Sequence, residues 1–110
     1  MRVEARSYGE IEEIVSKAET VVVDFWAPWC KPCEDVEREL QVLEEEYDCK
    51  GLVIVRVNAS EAQEAVLRFK VLGLPTIIAF KKGSQVYRKT GITSAEELAE
   101  KLECRSLSSI

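Results

Sequence analysis

The chain has 110 residues, of which 46% are hydrophobic, 15 are basic and 20 are acidic, for a net charge of −5. That length and composition suit a single domain over residues 1–110, with a short frayed tail at 106–110. The acidic balance argues against a nucleic-acid surface, which needs clustered cations. The sequence has no histidine, which excludes histidine general bases and histidine metal ligands.

The sequence has no recognisable membrane or export segment. No apolar run approaches the roughly 20 residues needed to cross a bilayer, and the first residues lack the apolar stretch of a signal peptide. We therefore expect a cytoplasmic protein without membrane contact. Cysteines in that compartment are more often catalytic or metal-binding than structural. The chain has four of them, Cys30, Cys33, Cys49 and Cys104.

The first half of the chain predicts an edge strand, a helix, a central strand and a second helix. Residues 2–5 suit a short edge strand. Ser7 and Glu10 match a capping box that opens the first helix. A continuous β-branched run over 20–25 suits a central strand covered on both faces.

The second predicted helix carries its apolar residues three and four positions apart. That spacing puts on one face Cys33, Val36, Leu40, Leu43 and Tyr47. The opposite face is strongly charged, and we interpret it as a solvated surface. Its residues are Glu37, Arg38, Glu39, Glu44 and Glu45.

The second half of the chain predicts two helices and three strands. Residues 52–57 suit an apolar strand, and residues 60–63 match another capping box before the third helix. A Gly-Leu-Pro-Thr turn opens a strand over 76–80, which a hairpin joins to a strand over 85–89. Ser94 caps the last helix. The predicted order is therefore βαβαβαββα, with the first three strands parallel and the final hairpin antiparallel.

Cys30 and Cys33 are separated by two residues and lie where the central strand passes into the second helix. A CxxC pair in that setting is typical of thiol redox chemistry. A thiol attacks a disulfide only as the thiolate, and the positive end of the helix favours that form of Cys30. Pro32 suits the first helical turn. We expect Cys30 to form a mixed disulfide with a substrate and Cys33 to resolve it.

Two charged residues interrupt the apolar strands. Asp24 either marks the exposed end of its strand or is a buried carboxylate with a perturbed pKa. We favour the buried alternative, in which Asp24 is the base for the proton of Cys33. Arg56 either supplies a compensating charge beside Asp24 or extends from a strand end into solvent, and the sequence leaves both alternatives open.

The residues 25–33, Asp24, the turn at 73–76 and Gly91 together resemble the thioredoxin family. The resemblance covers nearly the whole chain. It implies the thioredoxin fold, an α/β architecture with a central mixed sheet of about five strands and helices on both faces. It also implies a protein-disulfide reductase that needs no bound cofactor or metal. The expected partners are disulfide-containing proteins and a thioredoxin reductase or an equivalent electron donor, and the expected state is a monomer.

The resemblance implies roles for single residues. Cys30 is the exposed attacking thiol, Cys33 is the buried resolving thiol, and Asp24 handles the proton of Cys33. Pro75 is a cis proline, and the backbone of Leu74 pairs with the substrate chain as an added strand. The docking groove is lined by Trp29, Gly73, Gly91 and Ile92, with Trp26 packed beneath the site.

Departures from the family's usual pattern bear on the redox potential. Lys31 stands where the family usually has glycine, and its charge is expected to lower the pKa of the attacking thiol and make the pair more oxidising. Glu34 and Asp35 stand where the family usually has lysine, and their charges oppose a thiolate. Arg56 stands where the family often has lysine, so the charge near the buried carboxylate is retained.

Cys49 and Cys104 fall near the ends of the second and last predicted helices. In the family's fold these helices cover the same face, so a disulfide between the two cysteines is geometrically possible. Neither cysteine lies clearly on the apolar face of its helix, and intracellular disulfides are rare outside hyperthermophiles. We therefore expect two free thiols.

Three other functions compete with reduction of protein disulfides. An oxidase or isomerase would use the same chemistry, but Pro32 and the lack of a signal peptide count against it. A metal site at Cys30 and Cys33 lacks the second cysteine pair that structural zinc usually uses. A binding module would use the fold as an adaptor, which the intact CxxC pair weighs against but leaves open. The leading prediction is a protein-disulfide reductase.

Overall fold

The computed structural model describes residues 1–108, which form seven strands and four helices. The strands are β1 (Arg2–Glu4), β2 (Thr20–Trp26), β3 (Tyr47–Asp48), β4 (Leu52–Asn58), β5 (Thr76–Lys81), β6 (Ser84–Thr90) and β7 (Arg105–Ser106). The helices are α1 (Tyr8–Lys17), α2 (Pro32–Glu46), α3 (Gln63–Arg68) and α4 (Ala95–Lys101). In the part of the chain described, no helix is both long enough and apolar enough to span a membrane.

Five strands form the central sheet, in the order β1-β4-β2-β5-β6. β4 pairs in parallel with β1 and β2, whereas β5 pairs antiparallel with β2 and β6. The predicted mixed sheet, with an edge strand first, a central strand second and a terminal hairpin, is confirmed. The short strands β3 and β7 form a separate ribbon that was not predicted.

Two apolar layers cover the sheet, one on each face. Val21, Val23 and Phe25 pack in the layer of α1 and α3. Val22 packs in the layer of α2 and α4. Because successive side chains of a strand point to opposite faces, Asp24 shares the face of Val22, which α2 covers. Burial on both faces explains why β2 is a continuous apolar run rather than an alternating one.

Serine side chains cap the N-termini of two helices, α1 and α4, but not that of α3. Ser7 and Ser94 each accept a hydrogen bond from the amide three residues on, at α1 and α4, as predicted. The predicted cap at Ser60 is wrong. The amide and the hydroxyl of Ser60 both donate to the side-chain oxygen of Asn58, at 3.0 and 2.6 Å. As a result α3 begins later, with Ala62 at its N-cap and no side-chain cap.

The charged face of α2 is tied to its neighbours, and the expectation of a solvated surface is wrong for three of its residues. Arg2 binds Glu37 and Glu44 at 2.8 and 2.9 Å. The carboxylate of Glu39 accepts a hydrogen bond from the Ala95 amide at 2.8 Å. These contacts fasten α2 to β1 on one side and to the start of α4 on the other.

A disulfide between Cys49 and Cys104 continues the ribbon of β3 and β7. Asp48 pairs with Arg105 in antiparallel register, so the next pair along the ribbon is Cys49 and Cys104. Their Cα atoms lie 4.5 Å apart, within the range that a disulfide spans. The expectation of two free thiols is wrong. The two cysteines are brought together by the pairing of β3 with β7, and not by the apolar faces of the preceding helices.

The first residues of the predicted tail are ordered by the same ribbon. Ser106 belongs to β7 and pairs with Tyr47. The Leu107 amide donates to the Glu46 carbonyl at 2.9 Å. Fraying from residue 106 onward is therefore wrong at its first two positions, and residues 109–110 of the predicted tail lie outside the described residues.

Candidate active site

The CxxC pair lies at the junction of β2 and α2. The chain leaves β2 after Trp26, and the Cys30 amide donates to the Ala27 carbonyl at 3.1 Å. Pro32 is the first residue of α2, where its missing amide removes no helical hydrogen bond. Cys30 and Cys33 form a disulfide, and their Cα atoms lie 5.4 Å apart. The structure therefore represents the oxidised state of the pair.

The Cys30–Cys33 disulfide is largely covered. Cys30 is 7% exposed and Cys33 is 4% exposed. Both pack in a small cluster with Trp26, Ala27 and Leu74. The expectation of an exposed Cys30 is wrong for this oxidised state, because its sulfur is bonded to Cys33 and the cluster covers it. A cavity of about 340 Å³ still reaches both cysteines.

The Leu74–Pro75 peptide bond is cis, as predicted. The turn before it is fixed by Thr76, whose hydroxyl donates to the Gly73 carbonyl at 2.6 Å and lies 3.1 Å from the Thr90 hydroxyl. A Cβ at Gly73 would come within 3.2 Å of the methyl carbon of Thr90. Thr90 was missed because its contact crosses from β6 to β5 and nothing local in the sequence marks it.

An apolar groove of about 260 Å³ lies beside Trp29. Gly73 and Leu74 line it, together with Leu72. Trp29 is 71% exposed and Leu72 is 94% exposed, so both present apolar surface to solvent. Leu72 was missed. Its signal is a leucine directly before the glycine of the turn, outside the apolar pattern of any helix or strand.

Gly91 contacts Pro75 directly, and Ile92 follows it in the chain. The Gly91 amide donates to the Pro75 carbonyl at 2.8 Å, and its φ of 115° is a conformation that favours glycine. Ile92 is half-exposed. Among the described residues, neither lines the groove beside Trp29. Of the predicted docking residues, Trp29, Gly73 and Leu74 therefore line the groove, whereas Gly91 contacts Pro75 outside it.

Asp24 is fully buried in β2, so the alternative that it marks an exposed strand end is wrong. Its register partner on β4 is Arg56, and Arg56 Nε lies 3.3 Å from Asp24 Oδ2. Burial raises the pKa of Asp24 to about 6, and the Arg56 guanidinium opposes that rise. Asp24 Oδ1 has no hydrogen-bond partner among residues 1–108.

Arg56 is held between the carboxylate and an aromatic ring. Its guanidinium carbon lies 4.4 Å from the centre of the Trp26 ring, a cation–π geometry, and its side chain is only 22% exposed. Of the two alternatives for Arg56, the structure shows the compensating charge rather than a side chain extended into solvent.

The charges next to the cysteines have different surroundings. Lys31 is exposed at the N-cap of α2 and makes no capping hydrogen bond there. Glu34 lines the cavity that reaches the disulfide. Asp35 forms an ion pair with Arg38, so part of its charge is offset by a partner that was not predicted. Within residues 1–108, no three histidine, cysteine, aspartate or glutamate side chains are grouped as metal ligands.

The chemistry that this geometry permits is reversible exchange between a dithiol and a disulfide. Two cysteines at the start of one helix close a bond with each other, and both line a cavity of about 340 Å³. A buried carboxylate with a raised pKa lies on the sheet face that this helix covers. These features define the class of thiol–disulfide oxidoreductases.

Comparisons with known proteins narrow that class. The thioredoxin family model matches residues 3–104. The thioredoxin of Mycoplasma genitalium is 35% identical over 91 residues, which cover 83% of this chain and 87% of that protein. The thioredoxin of Bacillus subtilis is 38% identical over 80 residues, which cover 73% of this chain and 76% of that protein.

Among solved structures, a mutant thioredoxin from Halobacterium salinarum aligns with a TM-score of 0.80 at 25% identity, covering 93% of this chain and 88% of that one. The chain belongs to the thioredoxin family. It has the thioredoxin fold and is a thiol–disulfide oxidoreductase that works through the Cys30–Cys33 pair.

Proposed function

We propose that the protein reduces disulfides of other proteins in the cytoplasm, where reductases keep thiols reduced. A thioredoxin reductase or an equivalent donor returns the oxidised pair to the dithiol. One observation carries the proposal: Leu74 packs on the cluster around the disulfide and also lines the apolar groove beside Trp29. A substrate disulfide bound in that groove therefore comes next to Cys30.

A single domain of one chain is sufficient for this reaction. Every group it uses comes from the same protomer, which supports a monomer as the working state. The reaction requires neither nucleic acid nor a membrane, and a net charge of −5 disfavours binding of a polyanion.

The reaction starts from the dithiol. The Cys30 thiolate attacks one sulfur of the substrate disulfide and forms a mixed disulfide, while the other substrate sulfur leaves as a thiolate and takes a proton from water. Cys33 gives its proton to the Asp24 carboxylate and attacks the sulfur of Cys30. The mixed disulfide breaks, the second substrate sulfur leaves as a thiolate and is protonated, and Cys30–Cys33 is oxidised. Two electrons have then passed to the substrate.

Asp24 is the proposed base for Cys33. With a pKa of about 6 in the oxidised protein, Asp24 is mostly ionised at neutral pH. That value is also close enough to neutrality for Asp24 to return the proton in the reverse reaction. The Arg56 guanidinium prevents a further rise in the pKa, since it favours the charged carboxylate.

Substrate docking uses the exposed apolar surface near Pro75. An extended substrate segment pairs with the backbone of Leu74 as an added strand. Trp29 and Leu72 supply apolar contact, since both are exposed. Ile92, next to the Gly91 that contacts Pro75, is half-exposed and supplies further apolar contact.

Reduction of insulin disulfides by dithiothreitol tests the proposal. Cys30→Ser is expected to abolish catalysis, because the attacking sulfur is absent. Cys33→Ser is expected to trap substrate proteins as stable mixed disulfides on Cys30. A double Cys49→Ser, Cys104→Ser variant is the matched control and is expected to keep the wild-type rate. Activity that survives the loss of Cys30 would contradict the proposed function.

The pH profile of the same assay tests Asp24 separately. The wild-type rate is expected to fall as the pH drops toward 6, because a protonated Asp24 cannot accept the proton of Cys33. Asp24→Asn is expected to lower the rate and to remove this inflection. An Asp24→Asn profile that superimposes on the wild-type profile would show that Asp24 is not the base.

A further inference from the structure

A chain of ion pairs runs from the protein surface to Asp24. Arg56 Nε lies 3.3 Å from Asp24 Oδ2 and 3.8 Å from Glu37 Oε1. The same Glu37 oxygen accepts a hydrogen bond from Arg2 at 2.8 Å. Arg2 also binds Glu44 at 2.9 Å. One guanidinium nitrogen of Arg56 is therefore shared between a buried carboxylate and a half-buried one.

We propose that Glu37 and Arg2 are positioning residues of the thiol–disulfide reaction. Glu37 competes with Asp24 for the Arg56 guanidinium, and Arg2 competes with Arg56 for Glu37, so together they set how firmly Arg56 holds the carboxylate of Asp24. Glu37 draws Arg56 away from Asp24. Arg2 engages Glu37 and thereby leaves Arg56 to Asp24. A more firmly held carboxylate takes the proton of Cys33 less readily. This inference rests on the function proposed above for Asp24.

The contacts of the network support a defined position for each group. Arg2 binds Glu44 through both Nε and Nη2, which fixes the orientation of its guanidinium. The second oxygen of Glu37 accepts a hydrogen bond from Gln41 at 3.3 Å. The side chains of Arg56, Glu37 and Arg2 are 22%, 26% and 29% exposed. Charges at this depth are screened less by salt than charges on the open surface.

The charged groups around Asp24 come from three neighbouring elements. Arg56 lies on β4, Glu37 on α2 and Arg2 on β1, whereas the neighbour on β5, Ile77, carries no charge. Burial is the largest influence and raises the pKa of Asp24; Arg56 and Arg2 lower it, and Glu37 raises it. Glu37 and Arg2 therefore act on Asp24 with opposite signs.

These opposite signs separate positioning from a merely structural role. Glu37→Gln keeps the shape of the side chain, removes its charge and leaves Arg56 to Asp24, so the pKa of Asp24 is expected to fall. Arg2→Gln leaves Glu37 free to draw on Arg56, so the pKa is expected to rise. If the two residues only fastened α2 to β1, both variants would loosen the same contact and any shifts would share one sign.

The experiment is an NMR titration of the Asp24 carboxyl carbon in the oxidised protein, in which the cysteines are bonded and do not titrate. The expected wild-type pKa is about 6. We expect a decrease of roughly half a pH unit in Glu37→Gln and an increase of similar size in Arg2→Gln. Glu45→Gln, an exposed position on the same helix, is the matched control and is expected to leave the pKa unchanged.

An unchanged pKa in Glu37→Gln, or shifts of the same sign in both variants, would overturn the inference. The pH profile of insulin reduction completes the test, since its inflection is expected to move in the direction of the pKa in each variant. Shifts in the pKa without shifts in the profile would also overturn it. A failure of Asp24 itself is recognised separately, because Asp24→Asn would then leave the profile unchanged.

Discussion

The two disulfides of this chain lie at opposite ends of α2, and their contexts differ. Cys30 and Cys33 are three positions apart in sequence, whereas Cys49 and Cys104 are 55 positions apart. The first bond closes a small ring at the start of a helix. The second joins the regions that follow α2 and α4 and closes a long loop, which restricts the unfolded chain far more. The disulfide at the start of α2 is thus the redox-active one, whereas the disulfide beyond its end links two distant parts of the chain.

The surroundings of the two bonds explain the difference in role. Next to the Cys30–Cys33 bond lie a cavity that both cysteines line and the sheet face that holds Asp24. The Cys49–Cys104 bond instead continues a two-stranded ribbon. Location beside a buried carboxylate and an apolar groove, rather than the presence of a disulfide, distinguishes the Cys30–Cys33 pair.

The largest expected effect concerns the Cys49–Cys104 disulfide. Replacing both Cys49 and Cys104 by serine is expected to lower the free energy of unfolding by about 4 kcal/mol, the loop-closure value for a separation of 55 residues. Chemical denaturation of the oxidised proteins measures this loss. The rate of insulin reduction under folding conditions should stay at the wild-type value. A loss below about 1 kcal/mol would mean that this disulfide does not stabilise the fold by closing the long loop.

The second effect concerns the buried carboxylate at the redox end. The pKa of Asp24 rises from 3.8 to about 6 on folding, so the stability that comes from binding its proton is present below pH 4 and is lost as the pH rises through 6. The charge on Asp24 therefore lowers the free energy of unfolding by up to about 3 kcal/mol at pH 8. Asp24→Asn is expected to be more stable than the wild type by up to that amount at pH 8.

Denaturation of Asp24→Asn and wild type at several pH values measures this difference. The gain in stability is expected to shrink as the pH falls through 6 and to vanish below about pH 3, where the wild-type carboxyl is protonated in both states. A difference that does not depend on pH would contradict the raised pKa of Asp24.

The third effect concerns substrate docking. Leu72→Ala removes apolar surface that is 94% exposed in the free protein, so stability should be unchanged. Loss of about 1 kcal/mol of apolar contact with substrate is expected to raise KM about fivefold with little change in kcat. Leu67→Ala is the matched control, since Leu67 is also exposed but does not line the groove. Equal KM values for the two variants would exclude Leu72 from docking.

The smallest effect concerns the charge between the redox cysteines. Lys31→Gly is expected to make the Cys30–Cys33 pair more reducing by about 10 mV, the size expected for one exposed charge. Equilibration with redox buffers measures the potential of each disulfide, and that of Cys49–Cys104 should not change. No shift, or a more oxidising Cys30–Cys33 pair, would contradict the effect assigned to Lys31.

The redox end of the molecule was largely predictable from local sequence. The continuous apolar run of β2 indicates a strand buried on both faces, and an aspartate within such a run is unusual enough to be noticed. The CxxC spacing and the turn before Pro75 are short patterns whose residues are neighbours in the chain. For these reasons Cys30, Asp24 and Pro75 could be named from the sequence.

The Cys49–Cys104 disulfide and the ion-pair chain depend on residues that are far apart in sequence. β3 and β7 have two residues each, too few to show a hydrophobic period, so no local pattern favoured the Cys49–Cys104 disulfide over two free thiols. Glu37 has the spacing of a solvated helix position, and only contacts with residues far away in sequence, Arg2 and Arg56, bring it next to the Arg56–Asp24 pair. Tertiary packing decided both cases.

The most direct test of the difference between the two disulfides is a redox titration in which each cysteine is followed separately. The oxidised protein is equilibrated with buffers of decreasing potential, quenched with an alkylating agent and analysed by peptide mass spectrometry. We predict that Cys30 and Cys33 become alkylated at potentials where Cys49 and Cys104 are still bonded. Reduction of both disulfides at one potential, or of Cys49–Cys104 first, would contradict the account.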